Sequence, residues 1–292
     1  MAKVLALVDG SIYSESVCDH AVWAAKALDA DIQVTHVLGP RQGSNAAISN
    51  SAGFGRRAAL SNEIAVLDAN RAKLGELHGQ ALLEDAAAHV SQAHARVVTA
   101  LREGDLVTEL GDLSETADLV VLGKRGEAAD FAKGHLGSNL ERVVRSCLKP
   151  ILVASRAYSP IKRIVIAFDG GASSLKAVDH IACSPVFRDV EVHLLTVGAD
   201  QIEAHRKLDA AALKLSAADF DVDIELIQGV PADEINARVQ QGAADMLVMG
   251  AYGHSRIRNL IIGSTTTEMI RRCGVSLMLF RETPLPLSDK SA

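Results

Sequence analysis

The stretch ADMLVMGAYGHSRIRNLIIGSTTTEMI, Ala244 to Ile270, bears on both the fold and the function. Met246 to Met249 form a short apolar run of the kind that is buried on both faces of a sheet. Gly250 and Gly253 follow, then nine residues, then Gly263, Ser264 and Thr265 at the mouth of a segment with helical period. A strand that ends in glycine and leads to a helix opened by small residues reads as one β-α step of an open α/β sheet. Glycine permits positive φ and close approach of a ligand to the backbone. Free amides at a helix start, together with the positive end of its dipole, are aimed at an anion such as phosphate. The plainer alternative is that Ser264 is an N-cap and the glycines are turns.

Moving outward, the stretch has a counterpart earlier in the chain. ADLVVLGKRG from Ala117 matches ADMLVMGAYG from Ala244, and GSNLERVVRSCLKPILV from Gly137 matches GSTTTEMIRRCGVSLML from Gly263, with Cys147 falling on Cys273. Further upstream, KVLALVDGS from Lys3 resembles RIVIAFDGG from Arg163. Three matches in one order identify an internal repeat. In the second copy the runs RIVIAF, VEVHLLTV, VDIELI, DMLVMG and VSLMLF alternate with helical stretches such as SSLKAVDHIAC and PADEINARVQQGA. Apolar runs joined by helices predict a parallel sheet covered on both faces. Right-handed crossovers then give a doubly wound domain of five strands in each copy, a Rossmann-like α/β fold. Such sheets bind ligands at the carboxyl ends of the strands, where the strand order reverses. Asp9 and Asp169 end the first strand of each copy on that edge, where a carboxylate can accept hydrogen bonds from an adenine amino group or a ribose hydroxyl.

The predicted domains are residues 1–156 and 160–282, with a disordered, proline-containing tail at 283–292. The first domain is longer: 114 positions separate Asp9 from Gly123, against 81 between Asp169 and Gly250, a surplus of 33 that falls at about 40–75. Two readings of this insertion stand side by side. One is a loop that extends the second helix, and the other is a lid with Arg56 and Arg57 available to meet phosphate. The apolar strands PILVAS and VSLMLF at the ends of the two copies are expected to pair with each other, since an open apolar strand edge invites another strand.

Composition narrows the function. The net charge is −6, with −3 in each of residues 1–157 and 158–292, and aromatics are 3%. The chain therefore offers neither a basic surface for nucleic acid nor a stacking platform for bases. Five apolar residues between Lys3 and Asp9 are too few for a signal peptide, and no run is long enough for a membrane span, so a cytoplasmic protein is expected. Cys18, Cys147, Cys183 and Cys273 form no CxxC pair or zinc spacing and are read as small hydrophobes without a redox role, with no metal site. GFGRRA at Gly53–Ala58 fits a loose dinucleotide fingerprint, but it is not preceded by a strand. A P-loop, a GxSxG elbow and an HExxH pair are all absent, and no catalytic residue is assigned.

The pattern G-x2-G-x9-G-[ST] after the fourth strand, in a domain that opens with Asp after its first strand, resembles the ATP-binding universal stress protein family. The resemblance covers both copies and implies a tandem member of the adenine-nucleotide α-hydrolase-like class, with ATP lying across the carboxyl ends of strands one and four. Carried over, it implies that Asp169 and the backbone of Val197 contact adenine and that Gly250 meets the ribose side. Gly253, Gly263, Ser264 and Thr265 then meet the phosphates, and Arg256, with His254 and Arg258 in the same loop, is within reach of the phosphate tail. In the first copy the corresponding residues are Asp9, Val37, Gly123, Gly126, Gly137, Ser138 and Asn139. There ten residues rather than nine separate Gly126 from Gly137, and Glu127 and Asp130 in the loop disfavour phosphate if they face inward. The resemblance further implies pairing of the fifth strands, so that one chain mimics a dimer, with a homodimer of chains left open.

Three functions are weighed. The first is a regulatory ATP-binding stress protein with at most slow hydrolysis, in which Mg or Mn is held mainly by the phosphates. The second is a nucleotide-free module that binds a protein partner or a small apolar ligand. The third, an adenylyl-transferring enzyme, is disfavoured because the sheet and its helices use up each copy and leave no substrate domain.

Overall fold

A computed structural model describes residues 1–39, 56–93, 96–126, 138–199, 201–251 and 262–282. The first repeat comprises β1 (Lys3–Leu7), α1 (Ser14–Leu28), β2 (Asp31–Leu38), α2 (Arg56–Gln92), β3 (Val97–Glu103), α3 (Leu106–Glu115), β4 (Leu119–Gly123), α4 (Ser138–Ser146) and β5 (Ile151–Ala154). The second comprises β6 (Arg163–Ala167), α5 (Ala172–Cys183), β7 (Glu191–Val197), α6 (Ile202–Ser216), β8 (Val222–Ile227), α7 (Pro231–Arg238), β9 (Met246–Gly250), α8 (Ser264–Arg272) and β10 (Ser276–Phe280). A 3-10 turn, Pro185–Phe187, lies between α5 and β7.

Among the described residues ten strands form one continuous sheet in the order β3-β2-β1-β4-β5-β10-β9-β6-β7-β8. Every pairing is parallel except the central one, β5 with β10, where Leu152 faces Met278 in antiparallel register. The two terminal strands pair as expected, and they fuse two five-stranded parallel sheets into one.

Strand alternation builds two cores. Val4 and Ala6 of β1 point to one face and Leu5 and Leu7 to the other, and both sets are buried because helices cover both faces. The first core takes residues of α1, α2, α5 and α6, and the second takes residues of α3, α4, α7 and α8. In each repeat the chain passes outward from the first strand and then returns to the other side of it. The order therefore reverses between β1 and β4, and again between β6 and β9. Those two crevices are where the sequence places ligands.

Polar side chains also cross the seam between the repeats. His20 of α1 is buried: its Nδ1 lies 2.6 Å from the Ser16 carbonyl and its Nε2 lies 2.7 Å from Ser276 Oγ of β10. A carbonyl only accepts, so Nδ1 carries the proton and Nε2 accepts from Ser276. Ser276 Oγ also accepts the backbone N–H of Ser155 at 3.0 Å. Lys124, the residue after β4, is buried and donates through Nζ to the carbonyls of Cys273 and of Val275, the latter at 3.2 Å. Lys176 of α5 donates to the Leu148 carbonyl of the first repeat at 3.2 Å.

Cys18, Cys147 and Cys273 are buried, but Cys183, the last residue of α5, is exposed. Its place at the end of a helix, after the buried Ile181, takes it off the packed face. Burial and then the neighbouring Asp19 and Glu15 push the Cys18 thiol up to about 12, so it stays protonated at neutral pH. The tail at 283–292 and Gly53 of GFGRRA lie outside the described residues, whereas Arg56 opens α2.

Candidate functional site

In the second repeat the first strand runs out at Phe168 and the chain turns at Asp169 and Gly170, whose φ of +70° is in the region that suits glycine. The Asp169 carboxylate is exposed at this edge, and its Oδ1 accepts from the Gly171 N–H at 2.9 Å and from Ser174 Oγ at 2.6 Å. These bonds fix the carboxylate over the start of α5.

Beside it, the Leu195 carbonyl accepts from Phe168 N–H, so Leu195 turns its backbone polar groups toward β6. In a parallel ladder the side alternates with each residue, so Val197 turns its groups the same way, two residues further on and past the last β6 pair, Ala167 with Leu195. Thr196 Oγ1 donates to the Phe168 carbonyl at 2.9 Å and ties the two strand ends together.

Across the crevice, Gly250 closes β9. A Cβ built on it would lie 2.2 Å from Ser173 Oγ and 3.1 Å from the backbone N of Ser174, so only glycine lets the first turn of α5 come this close. The Gly250 carbonyl accepts from Thr266 Oγ1 at 3.1 Å, and Gly263 N–H donates to the Ala251 carbonyl at 3.1 Å. These two bonds bring the start of α8 back to the end of β9. Gly263 is the N-cap of α8 and supplies no side chain to the first-turn amides, and that turn contains no acidic residue. Ser264 is exposed and Thr265 half-buried at the mouth.

The first repeat repeats the frame with different contents. Gly10 has a φ of +77°, and Asp9 Oδ1 accepts from Ser11 N–H at 3.1 Å. The Val8 carbonyl is bonded to His36 Nδ1 at 2.8 Å, the role Thr196 takes in the second repeat. Val8 N–H donates to the Thr35 carbonyl, so by the same alternation the backbone of Val37 turns toward the β1 side. Gly123 is packed against Tyr13, to which an added Cβ would come within 2.7 Å, and Gly126 lies so close to Asp9 that a Cβ would meet its Oδ2 at 2.9 Å. Ser11 Oγ donates to the Arg125 carbonyl at 3.4 Å. The segment after β4 thus leans onto the end of β1. Helix α4, opened by Ser138, carries the exposed Asn139 and, unlike α8, an acid in its first turn, Glu141.

The structure therefore brings Asp169, Val197, Gly250, Gly263, Ser264 and Thr265 to one crevice, and Asp9, Val37, Gly123, Gly126, Ser138 and Asn139 to the carboxyl edge of the other repeat. Gly253, Arg256, His254 and Arg258, together with Gly137, Glu127 and Asp130, lie outside the described residues. Ser173, Ser174, Thr196, Thr266 and Tyr13 went unread in the sequence. Ser174, five residues after Asp169, carried a signal of its own as a small hydroxyl residue in the first turn of a helix. Away from the edge, ligand atoms of Glu15, Asp19 and His89 lie within 4.8 Å of one another, and His89 Nε2 is hydrogen-bonded to Asp19 Oδ1 at 2.7 Å.

The family model of the universal stress protein family matches residues 1–155 and 160–281. The chain belongs to the universal stress protein family. It is a tandem member, and a universal stress protein of Synechocystis sp. is 35% identical to it over 287 residues, covering 96% of this chain and all of the relative. Among solved structures, a universal stress protein from Archaeoglobus fulgidus superposes with a TM-score of 0.71 at 21% identity, over 96% of this chain and 98% of that one. A putative universal stress protein from Pseudomonas aeruginosa gives 0.65 at 13% identity, over 96% of this chain and 93% of that one. Both likenesses are of fold.

Proposed function

We propose that this tandem universal stress protein binds ATP at the carboxyl edge of its second repeat, between β6 and β9, and that the bound nucleotide biases its conformation or assembly in a cytoplasmic stress response. One observation carries the reading. The start of α8 has a glycine N-cap and no first-turn acid, and the Thr266 hydroxyl is spent on the Gly250 carbonyl, so an anion at the helix mouth meets amides rather than a competing carboxylate. Asp169 and the backbone of Val197 would take the adenine and Gly250 the ribose side. Gly253, Gly263, Ser264 and Thr265, with Arg256 nearby, would take the phosphates, and Mg or Mn would be held mainly by those phosphates. Any hydrolysis is slow on this reading. A turnover of about 1–100 s⁻¹, typical of dedicated phosphoryl-transfer enzymes, contradicts it.

A specific contrast favours a second reading for the first repeat. Gly126 packed on Asp9, Tyr13 packed on Gly123 and Glu141 in the first turn of α4 support a weaker or nucleotide-free edge. The direct test is to denature extensively desalted protein and identify any released nucleotide by chromatography and mass. The expected result is about one ATP per chain, in keeping with ligand sites that are few per protein. Two per chain would reinstate the first repeat as a site. No nucleotide, together with no binding of added Mg-ATP, overturns the proposal and leaves an interaction module for a protein partner or a small apolar ligand.

A further inference from the structure

Helix α2 runs for 37 residues, whereas its counterpart in the second repeat, α6, runs for 15. Only the later part of α2 belongs to the fold. Gly79 is the first residue pressed on the sheet, where a Cβ would lie 2.8 Å from Leu101 Cδ1, and Leu83, Ala86 and Val90 beyond it are buried. Gly75, one turn earlier, has nothing within 4 Å of a built Cβ. The first 23 residues, roughly 34 Å of helix at 1.5 Å per residue, thus continue past the carboxyl edge of the sheet.

This free half is not polar all round. Leu60, Ile64, Leu67 and Leu74 are exposed, Leu67 and Leu74 each at 66%. Their spacing of four, three and seven residues puts them in one row along the helix. At 100° per residue the row is turned about a third of a revolution from the face of Leu83, Ala86 and Val90, so it does not continue the surface that packs on this domain. A row of large apolar side chains turned away from its own core marks an interaction surface.

We propose that this row pairs with the same row of a second copy of the chain, as an antiparallel helix pair centred on Leu67. The sequence is self-complementary about that point. With Leu67 on the two-fold axis, Leu60 comes level with Leu74 of the other copy, and Glu63 comes level with Arg71 of the other copy. A parallel pairing would instead set Glu63 against Glu63 and Arg71 against Arg71. Charge over residues 56–77 is mixed, with Arg56, Arg57, Arg71 and Lys73 against Glu63, Asp68 and Glu76, so no net repulsion opposes association. The strands that end the two repeats are already consumed at the seam between β5 and β10, so joining two chains requires another surface, and this row supplies it.

Sedimentation velocity across a wide concentration series tests the pairing. The wild-type chain is expected to shift from the mass of one chain to that of two, and Leu67→Glu to stay at one chain throughout, with the melting temperature the wild type has at concentrations where it is one chain, since Leu67 is 66% exposed. In a Cys183→Ser background, Leu67→Cys is expected to give a disulfide-linked dimer on mild oxidation, and Ala69→Cys, on the opposite side of the helix, to give none. A wild-type chain that stays monomeric, with the row covered by residues 40–55 of its own chain or simply exposed, overturns the proposal. So does a Leu67→Glu chain that dimerises like the wild type, or equal cross-linking through Ala69→Cys.

Discussion

At the scale of single residues, Gly250 shows how little room the crevice leaves. An added methyl would collide with Ser173 Oγ at 2.2 Å and crowd the backbone of Ser174 at 3.1 Å, and Ser173 is itself buried, so the first turn of α5 has to move. Gly250→Ala is therefore expected to lower stability by about 1–3 kcal/mol, as overpacking does, and to be read as a lower melting temperature. Because that turn carries the Ser174 bond to Asp169, ATP affinity is expected to fall in the same variant, as isothermal titration would show. Asp9 and Asp169 were legible in the sequence as the carboxylates that end the first strand of each repeat, and the glycines after them, Gly10 and Gly170, meet a local backbone requirement with φ of +77° and +70°. Tyr13, Ser173 and Thr196 were not legible. Their roles come from contacts with Gly123, Gly250 and Phe168, which lie far away in sequence and meet only when the sheet assembles.

At the scale of elements, the start of α8 separates two accounts of one motif. Ser264→Asp places a carboxylate in the positive first turn, which stabilises a helix by about 0.3–1 kcal/mol. If the motif is only a turn and a cap, the variant is expected to melt slightly higher with nothing else changed. On the nucleotide reading it melts slightly higher and also loses ATP, because two anions compete for the same amides. Thermal denaturation and a nucleotide titration on one preparation decide between these outcomes. The alternation of short apolar runs with helical segments made the five strands of the second repeat legible, and the end strands PILVAS and VSLMLF announced their pairing by being apolar edges. The insertion was legible as a surplus of 33 residues that either extends the second helix or forms a lid. The sequence left those two readings open, because the exposed row of Leu60, Ile64, Leu67 and Leu74 in the part that extends α2 does not face the core of its own domain.

At the scale of the whole molecule, the seam answers to pH. Burial holds His20 below the usual histidine range, against the opposing pull of its bond to Ser16 and of Asp19, and burial followed by Lys176 does the same for His180. The groups facing His20 are Asp19, Ser16, Ser155, Ser276 and the ring of Tyr158, 5.0 Å away. A histidine whose folded pKa lies below its unfolded value of about 6.5 leaves the unfolded chain with more bound protons as pH falls, so its stability is full above that value and is lost as pH drops through the folded pKa. The melting temperature is expected to fall between pH 7.5 and pH 5, and to fall less steeply in His20→Gln, whose starting value is lower because the bonds to Ser16 and Ser276 are gone. Lys124 adds a different lesson about the seam. It fills a buried place between the end of β4 and the carbonyls of Cys273 and Val275, whereas the position that matches it in the second repeat is Ala251. Were the two halves separate, identical chains, symmetry would install that lysine twice and oblige each copy to house it. Joining the halves in one polypeptide lifts that obligation, so every position along the junction is free to answer a partner unlike itself, and the two crevices can drift toward different tasks without loosening the joint between them.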